Sequence, residues 1–293
     1  MGLLIFIVVI AFSVFLFGWF ILGLIFGSFI NVLVSRFPLF LSGGGISVFS
    51  GRSHCDHCKK KLVWYELVPL VSFLVQKKKC RSCNGLIPDQ YALVELAVGC
   101  VFLFLGAVIV GEPMVNGITS FGIITSPLFS LHVGALIAGV FALTAIFFID
   151  LRYYYIPDIL IILFFISGAI EAFLRISSFR QESFFNLLFS VFGVFLFFFA
   201  IWFFSRGRAM GFGDVKLAPL FPLFFGALFG VFAIIFAFWI GAIVSLFLLA
   251  SGEKGMKDRV PFGPFLIAGG FVVLFVPQTA EIIFSLLNGY WYF

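Results

Sequence analysis

The sequence has 293 residues, of which 63% are hydrophobic and only 11% are charged. Soluble domains are about half apolar and about a quarter charged, and the mean hydropathy of +1.23 is far above their range. This composition excludes a soluble globular protein and predicts an all-α, polytopic membrane protein. The net charge of +5 does not indicate a nucleic-acid partner, because the basic residues stand in loops between apolar segments.

Eight apolar segments are candidates for crossing a bilayer, which takes about 20 residues per helix. They lie at residues 3–30, 91–111, 131–149, 156–174, 185–204, 215–228, 231–250 and 262–284. The stretch 215–250 is too long for one ordinary helix, and both of its flanks, SRGRAMG and SGEKGMKDR, are basic. Because basic flanks stay in the cytoplasm, we expect two short spans there, with a turn near Gly226–Gly230.

The positive charges predict the orientation. With eight spans, sixteen of the 18 lysines and arginines fall on one side, and only Arg175 and Arg180 fall on the other. By the positive-inside rule, both ends of the chain then lie outside and the loop 34–88 lies in the cytoplasm. We therefore expect a first transmembrane helix at 1–33, a small cytoplasmic domain at 34–88 and a membrane domain at 89–293.

Four of the five cysteines lie in this polar segment, 34–88. They form two C-x2-C pairs, HCDHC with Cys55 and Cys58, and CRSC with Cys80 and Cys83. Two such pairs can close a tetrahedral all-thiolate zinc site, and a loop of this size has too little core to fold unaided. Disulfides rarely persist in the cytoplasm, so we favour structural zinc over disulfides or free thiols.

Other residues of this region allow more than one interpretation. His54 and His57 could each replace a cysteine ligand, but solvated side chains flanking the first pair are the simpler hypothesis. The runs Lys59–Lys61 and Lys77–Lys79 could face anionic lipid head groups or only enforce topology. Cys100, inside the second span, is expected to be a small core residue.

Three aspartates are predicted at the cytoplasmic edge of the membrane, where acidic residues are costly and usually functional. Asp150 ends the run TAIFFID, Asp158 begins the fourth span and Asp214 opens the sixth. Two glutamates have simpler explanations. Glu95 is expected to pair with a loop cation, and Glu171 to lie at the outer interface.

Two carboxylates at equal depth on different helices suit aspartic protease chemistry. One accepts a proton from water while the other, protonated, donates a proton to the scissile carbonyl, and the pair shares a proton. Asp158 is well placed to cap its helix, so we prefer Asp150 as the partner of Asp214. The alternative is that both are helix-end charges, held by Arg152 or Lys216.

Six motifs carry a family resemblance. In chain order they are GLIFGSFINVLVSRFP (23–38), HCDHCKKKLVWYELVPLVSFL (54–74), CRSCNGLIPDQYALVEL (80–96), FIDLRYYYIPD (148–158), GFGDVKL (211–217) and VPFGPFLIAG (260–269). Together they resemble the type IV prepilin peptidases (prepilin leader peptidase/N-methyltransferases), which are bifunctional membrane aspartic proteases of bacteria. The resemblance covers nearly the whole chain, with small departures at Leu67, Gln90 and Ala92.

The resemblance implies a function and a set of site residues. By this resemblance, Asp150 and Asp214 are expected to be the catalytic pair, and the four cysteines to be zinc-type knuckles of a cytoplasmic domain. The resemblance implies an enzyme of the bacterial inner membrane that cleaves the leaders of prepilins and pseudopilins of type IV pili and type II secretion. It also implies that the enzyme then methylates the new N-terminus with S-adenosylmethionine.

Three other functions compete with this hypothesis. The first is a peptidase only, in which the cysteine loop is a structural or docking module. The second is a proton-coupled transporter, but its carboxylates would lie near the bilayer midplane. The third is an intramembrane protease of the presenilin type, which shares G-x-G-D but gives no reason for the cysteine loop.

Overall fold

The fold comes from a computed structural model that describes residues 2–41, 51–55, 57–115, 127–177, 183–253, 255, 258 and 260–287. The chain divides into two compact units, Met1–Val110 and Gly111–Phe293. Four basic residues used to predict the orientation, Arg180, Lys254, Lys257 and Arg259, lie outside the described residues.

The described residues form ten α-helices and no β-strand. A single 3-10 turn, Trp64–Glu66, lies in the polar segment. The helices are α1 (Gly2–Leu41), α2 (Val71–Val75), α3 (Asp89–Val115), α4 (Pro127–Tyr153), α5 (Asp158–Ser177), α6 (Phe184–Ser205), α7 (Phe212–Leu217), α8 (Leu220–Phe225), α9 (Ala227–Ala250) and α10 (Gly263–Leu287). The all-helical class predicted from the composition is confirmed.

Within the described part of the chain, six helices are long and apolar enough to cross a membrane. Their spans are Phe12–Phe37, Asp89–Ile109, Pro127–Tyr153, Asp158–Ser177, Phe184–Ser205 and Ala227–Ala250. A seventh apolar stretch, Gly263–Phe275 of α10, is shorter. The expected total of eight spans is therefore not confirmed.

The predicted sixth span, residues 215–228, is not one continuous helix. The chain makes two six-residue helices, α7 and α8, with Pro219 between them. A proline removes a backbone donor and disfavours a continuous helix, and six residues extend only about 9 Å. Neither helix crosses a bilayer alone. Gly226, with φ 95°, ends α8 at the turn predicted near Gly226–Gly230.

In the first unit, the backbones of α1 and α3 pack closely. A Cβ added at Gly23 would lie 2.6 Å from Phe102 Cβ, and one added at Gly27 would lie 2.8 Å from Glu95 Cα. Gly99 of α3 faces the side chains of α1 in the same way. Small residues one turn apart permit such contacts between membrane helices, which explains the two glycines of the first motif.

In the second unit, a polar cluster holds the C-terminal end of α8. Arg175 of α5 donates to the carbonyl of Phe224 at 2.7 Å and to that of Leu223. Glu171 lies 3.7 Å from Arg175 and 2.9 Å from His132 Nδ1. Cations suit helix C-termini. Glu171 is buried in this cluster, and its expected position at the outer membrane interface stays a prediction.

The helix α10 packs against α9 and α4. A Cβ added at Gly269 would collide with the backbone of Ala233 in α9, so these two helices approach closely. This packing carries Gly263, the first residue of α10, to the C-terminal end of α4, where Asp150 lies.

Candidate active site and metal site

Asp150 lies in the last turn of α4 and is 5% exposed. The helix ends because Tyr154 takes a left-handed conformation, φ 55°, and its N–H donates to the Asp150 carbonyl at 2.9 Å. This is a common way to close a helix, although glycine usually fills the position. The Asp150 carboxylate itself accepts a hydrogen bond from the backbone N–H of Gly263.

Asp214 lies in the first turn of α7 and is 7% exposed. Gly211 precedes the helix in an extended conformation and its N–H donates to the Asp214 carboxylate. An acidic residue three positions into a helix often satisfies the capping N–H in this way. The other oxygen, Oδ1, is buried and accepts no hydrogen bond from the described residues.

The structure brings Asp150 and Asp214 together. The two carboxylates are close enough to interact electrostatically, and Ile156 packs against Gly213 and Gly263. A Cβ added at Gly213 would lie 3.2 Å from Ile156, and one added at Gly263 would lie 3.4 Å from it and collide with Asp150 Oδ2. Two glycines thus let the backbones of α7 and α10 close around the carboxylate pair.

Asp158 occupies a different environment. Its side chain is 64% exposed and forms an ion pair with Lys216, which lies 5.6 Å from the ring centre of Phe212. The Lys216 contact is therefore with Asp158 and not with Asp214. Of the three aspartates predicted at one edge, the structure buries two and leaves the third near the surface.

The four cysteines predicted as ligands form one cluster. Their sulfur atoms all lie within 4.8 Å of one another, and those of Cys55 and Cys83 are 3.9 Å apart. Tetrahedral zinc with Zn–S bonds of about 2.3 Å places its sulfurs roughly 3.8 Å apart. The donor set and its spacing therefore fit zinc, which Cys55, Cys58, Cys80 and Cys83 would hold.

The two cysteine pairs share one local geometry. The fourth residue after the first cysteine of each pair, Lys59 or Asn84, has φ 57° or 54°. Its N–H donates to the carbonyl of Cys55 or Cys80, in both cases at 2.9 Å. Equivalent isolated bridges, His54–Lys61 and Lys79–Leu86, flank the two turns. Each pair is thus a self-contained knuckle that presents two thiols on one side.

The thiols differ in acidity. Hydrogen bonds from the backbone amides of Ser82 and Cys83 lower the pKa of Cys80 to about 6. The Gly85 amide also favours the Cys83 thiolate, but burial and the neighbouring sulfurs outweigh it and raise the pKa of Cys83 to about 11. A metal ion would have to displace the remaining protons, because only thiolates coordinate strongly.

His54, His57 and Cys100, the other residues considered in the sequence analysis, are not part of the four-cysteine cluster. His57 packs against Gly85, and its Nε2 lies 3.3 Å from the Leu86 carbonyl, so this ring joins the two knuckles. Cys100 is exposed on the surface of α3, so the prediction of a small core residue is wrong.

Comparison with known proteins assigns the chain to a family. Residues 21–109 match the model for the bacterial peptidase A24 N-terminal domain, and residues 137–246 match the type IV leader peptidase family. A prepilin leader peptidase/N-methyltransferase of Bacillus subtilis (strain 168) is 30% identical over 255 residues, covering 86% of this chain and 91% of that protein. The chain belongs to the prepilin leader peptidase/N-methyltransferase family.

Other members of the family give similar matches. Proteins with the same name from Myxococcus xanthus (strain DK1622) and Stutzerimonas stutzeri are 32% and 26% identical, over 256 and 276 residues. These alignments cover 85% and 87% of this chain, and 67% and 88% of the respective relatives. No solved structure gives a significant match. The family resemblance inferred from the motifs is confirmed.

The sequence analysis missed one residue of the carboxylate site and two buried glutamates near the knuckles. Gly263 was recognised only as part of a family motif, but it lies against Asp150. Glu95 was expected to pair with a loop cation; it is buried and accepts a hydrogen bond from Leu70 N–H at 2.8 Å. Glu66, in the polar segment, is also buried. The position of Glu66 in WYELVP was the available signal, but a local pattern does not predict burial.

Proposed function

We propose that this protein removes the leaders of prepilins and pseudopilins with Asp150 and Asp214, and N-methylates the new N-terminus. The Bacillus subtilis and Myxococcus xanthus relatives carry the name prepilin leader peptidase/N-methyltransferase. The observation that carries the proposal is the buried pair of carboxylates, each held by one backbone amide. The exposed Asp158–Lys216 ion pair supports the choice of Asp150 over Asp158.

The geometry suggests how the pair works. Two neighbouring carboxylates in a poorly hydrated site share one proton. The ionised carboxylate takes a proton from water as the water oxygen attacks the scissile carbonyl carbon, and the protonated carboxylate donates to the carbonyl oxygen. When the tetrahedral intermediate collapses, the leaving amine takes a proton from the first carboxylate and the C–N bond breaks. The carbonyl reforms as the second carboxylate takes back a proton from one hydroxyl of the intermediate, so the pair again holds one proton. The hydrogen bonds from the Gly263 and Gly211 amides keep both carboxylates oriented.

The rest of the chain has supporting roles in this proposal. Residues 34–88 form a small cytoplasmic domain around structural zinc, residues 1–33 form the first transmembrane helix, and residues 89–293 form the membrane peptidase domain. When bound, S-adenosylmethionine supplies the methyl group that the amine of the new N-terminus accepts. The enzyme is multi-pass in the bacterial inner membrane, with lipid and prepilins as partners and no nucleic acid.

Co-expression with a model prepilin tests the function. The intact mass of the pilin is compared for the wild type, Asp214→Asn and the matched control Asp158→Asn, which makes the same chemical change at an exposed site. We expect a pilin without its leader from the wild type and the control, and an uncut pilin from Asp214→Asn. Cleavage by Asp214→Asn at the wild-type level would overturn the two-aspartate mechanism.

The same spectra separate the bifunctional enzyme from a peptidase only. A mature pilin with the mass of one added methyl group establishes the transferase activity. A mature pilin of unmodified mass, in cells with ample S-adenosylmethionine, would leave the cysteine domain with a structural or docking role.

A further inference from the structure

The first unit contains a cavity that borders the cysteine cluster at Cys55 and Cys80 and extends beyond it to α1 and α3. Its volume is about 260 Å³, and its walls come from α1, from the first turns of α3 and from the knuckle segment. An apolar cavity of about 150 Å³ takes up benzene, and ligand sites commonly enclose about 300–1,000 Å³. The cavity therefore accommodates a large part of a cofactor-sized molecule, with the remainder at its mouth.

Two buried carboxylates make this cavity unusual. Glu66 and Glu95 both line it and are 7% and 8% exposed. One oxygen of each is held by a backbone amide, that of Val63 at 3.1 Å and that of Leu70 at 2.8 Å. Burying two negative charges is costly unless cations or donors compensate.

The cations near these carboxylates compensate only in part. Lys60 Nζ lies 3.8 Å from Glu66 Oε1, but its side chain is 45% exposed. The guanidinium of Arg36 donates to the Gly51 carbonyl at 2.9 Å, and Arg36 also lines the cavity. Beside the imidazoles of His54 and His57 and the thiols of Cys55 and Cys80, the walls offer two carboxylates and one guanidinium. Two carboxylates and one guanidinium suit a ligand with two positive centres and one negative centre.

S-adenosylmethionine has this charge pattern, with a sulfonium, an ammonium and a carboxylate group. We propose that the cavity bounded by α1, α3 and the knuckles binds the methyl donor. Glu66 and Glu95 face its cationic centres, and Arg36 faces its carboxylate. The inference rests on the methyl-transfer half of the proposed function and assigns that half a site.

Direct binding measurements on the full chain in lipid nanodiscs test the site. The dissociation constants of S-adenosylmethionine and S-adenosylhomocysteine are measured by calorimetry for the wild type, Glu66→Gln and Glu95→Gln. Glutamine keeps an oxygen for the backbone amide but removes the charge. We expect S-adenosylmethionine to bind about tenfold or more weakly, and S-adenosylhomocysteine to lose less because it lacks the sulfonium charge.

Two further variants separate charge, space and folding. Asp89→Asn makes the same change on α3, where Asp89 is exposed, pairs with Lys78 and does not line the cavity, so binding should stay at the wild-type value. Val32→Phe fills part of the cavity without changing its charge and should weaken both ligands alike. Elution profile and thermal midpoint show that each variant is folded.

The outcomes distinguish this site from the function on which it rests. Unchanged affinities in Glu66→Gln, Glu95→Gln and Val32→Phe, with a pilin that still gains a methyl group, would overturn the site and leave the function standing. A wild type that binds neither ligand and adds no methyl group would overturn both the site and the transferase activity. Leader cleavage, scored on the same pilin, reports separately on the carboxylate pair.

Discussion

The carboxylate pair and the cysteine cluster are built in opposite ways. The cysteine cluster comes from two knuckles within residues 55–84, each closed by its own backbone turn. The carboxylate pair takes one side chain from the end of α4 and one from the start of α7, and its supporting glycines lie at 211, 213 and 263. One site is local in sequence, while the other depends on the packing of distant helices.

This difference indicates which interactions stabilise each site. The knuckles have few buried apolar residues around them, so a metal ion is the natural source of their stability. The carboxylates are held by backbone amides of packed helices, and their geometry is sensitive to any group that separates those helices. Damage to the helix packing should therefore reduce leader cleavage, and loss of the metal should destabilise the cysteine domain.

Apart from changes to the two aspartates themselves, the largest effect is expected from Gly263→Ala. The added Cβ would collide with Asp150 Oδ2 and move the carboxylate or the start of α10. A displacement of about 1 Å at a catalytic group costs about 100-fold in rate, so we expect at least that loss in the initial rate of leader cleavage. Gly134→Ala, on the same helix as Asp150 and with nothing within 4 Å of the new Cβ, is the control.

A Gly263→Ala enzyme that cleaves as fast as Gly134→Ala would contradict the packed carboxylate site. The packing would then tolerate a group where the structure leaves no room, and the positions of α10 and Asp150 would have to differ.

The next effect is expected from Cys80→Ser. Removing one thiolate opens the tetrahedral site, so bound zinc should fall from about one per chain to near zero. Amide hydrogens of residues 51–88 should then exchange faster, while those around 145–158 keep their protection. Metal analysis and hydrogen exchange with mass spectrometry measure both changes.

Cys100→Ser is the control for the cysteine variant, since Cys100 is exposed on α3 and outside the cluster. Equal zinc content in Cys80→Ser and Cys100→Ser would rule out the four-cysteine site.

A smaller effect is expected from Gly27→Val, which tests helix packing away from both sites. Its side chain would press on the backbone of α3 near Glu95 and force α1 and α3 apart. Overpacking of this kind costs about 1–3 kcal/mol, which a shift in the unfolding midpoint in detergent would report. Gly18→Val, where nothing lies within 4 Å, should leave the midpoint almost unchanged; equal shifts would argue against the close contact.

The smallest effect is expected from Lys216→Met. This change breaks a partly exposed ion pair with Asp158, and such pairs contribute about 0–1 kcal/mol. Leader cleavage should stay within about threefold of the wild type, and Asp158→Asn should behave similarly because it breaks the same pair. A loss as large as that of Asp214→Asn would mean that Lys216 acts on the carboxylate after all.

The sequence predicted the four clustered cysteines and the two neighbouring aspartates for different reasons. The C-x2-C spacing is a local property, and the knuckles form within that spacing. Asp150 was preferred over Asp158 as the partner of Asp214 because Asp158 was well placed to cap its own helix. The exposed ion pair between Asp158 and Lys216 agrees with that choice. The contact between Gly263 and Asp150 was not predictable, because it joins residues more than 100 positions apart through helix packing.

Hydropathy predicted that the apolar segments are helical better than it predicted where each helix begins and ends. The apolar run at 215–228 contains no charge other than Lys216, yet it forms α7 and α8 because Pro219 and Gly226 interrupt the helix. The partner of Glu95 was mispredicted, and those of Glu171 were not predicted, for a related reason. Burial of Glu171 with His132 and Arg175, and of Glu95 against the Leu70 amide, depends on which segments become neighbours.

The central claim is that Asp150 and Asp214 act as one catalytic pair. The most direct test is the initial rate of leader cleavage by purified enzyme in nanodiscs, for Asp150→Asn, Asp214→Asn and Asp158→Asn. The pair predicts a loss of at least about 1,000-fold for each of the first two, since residues that act as a unit cannot substitute for each other. It also predicts a near wild-type rate for Asp158→Asn. A rate above a tenth of the wild type in either Asp150→Asn or Asp214→Asn would contradict the claim.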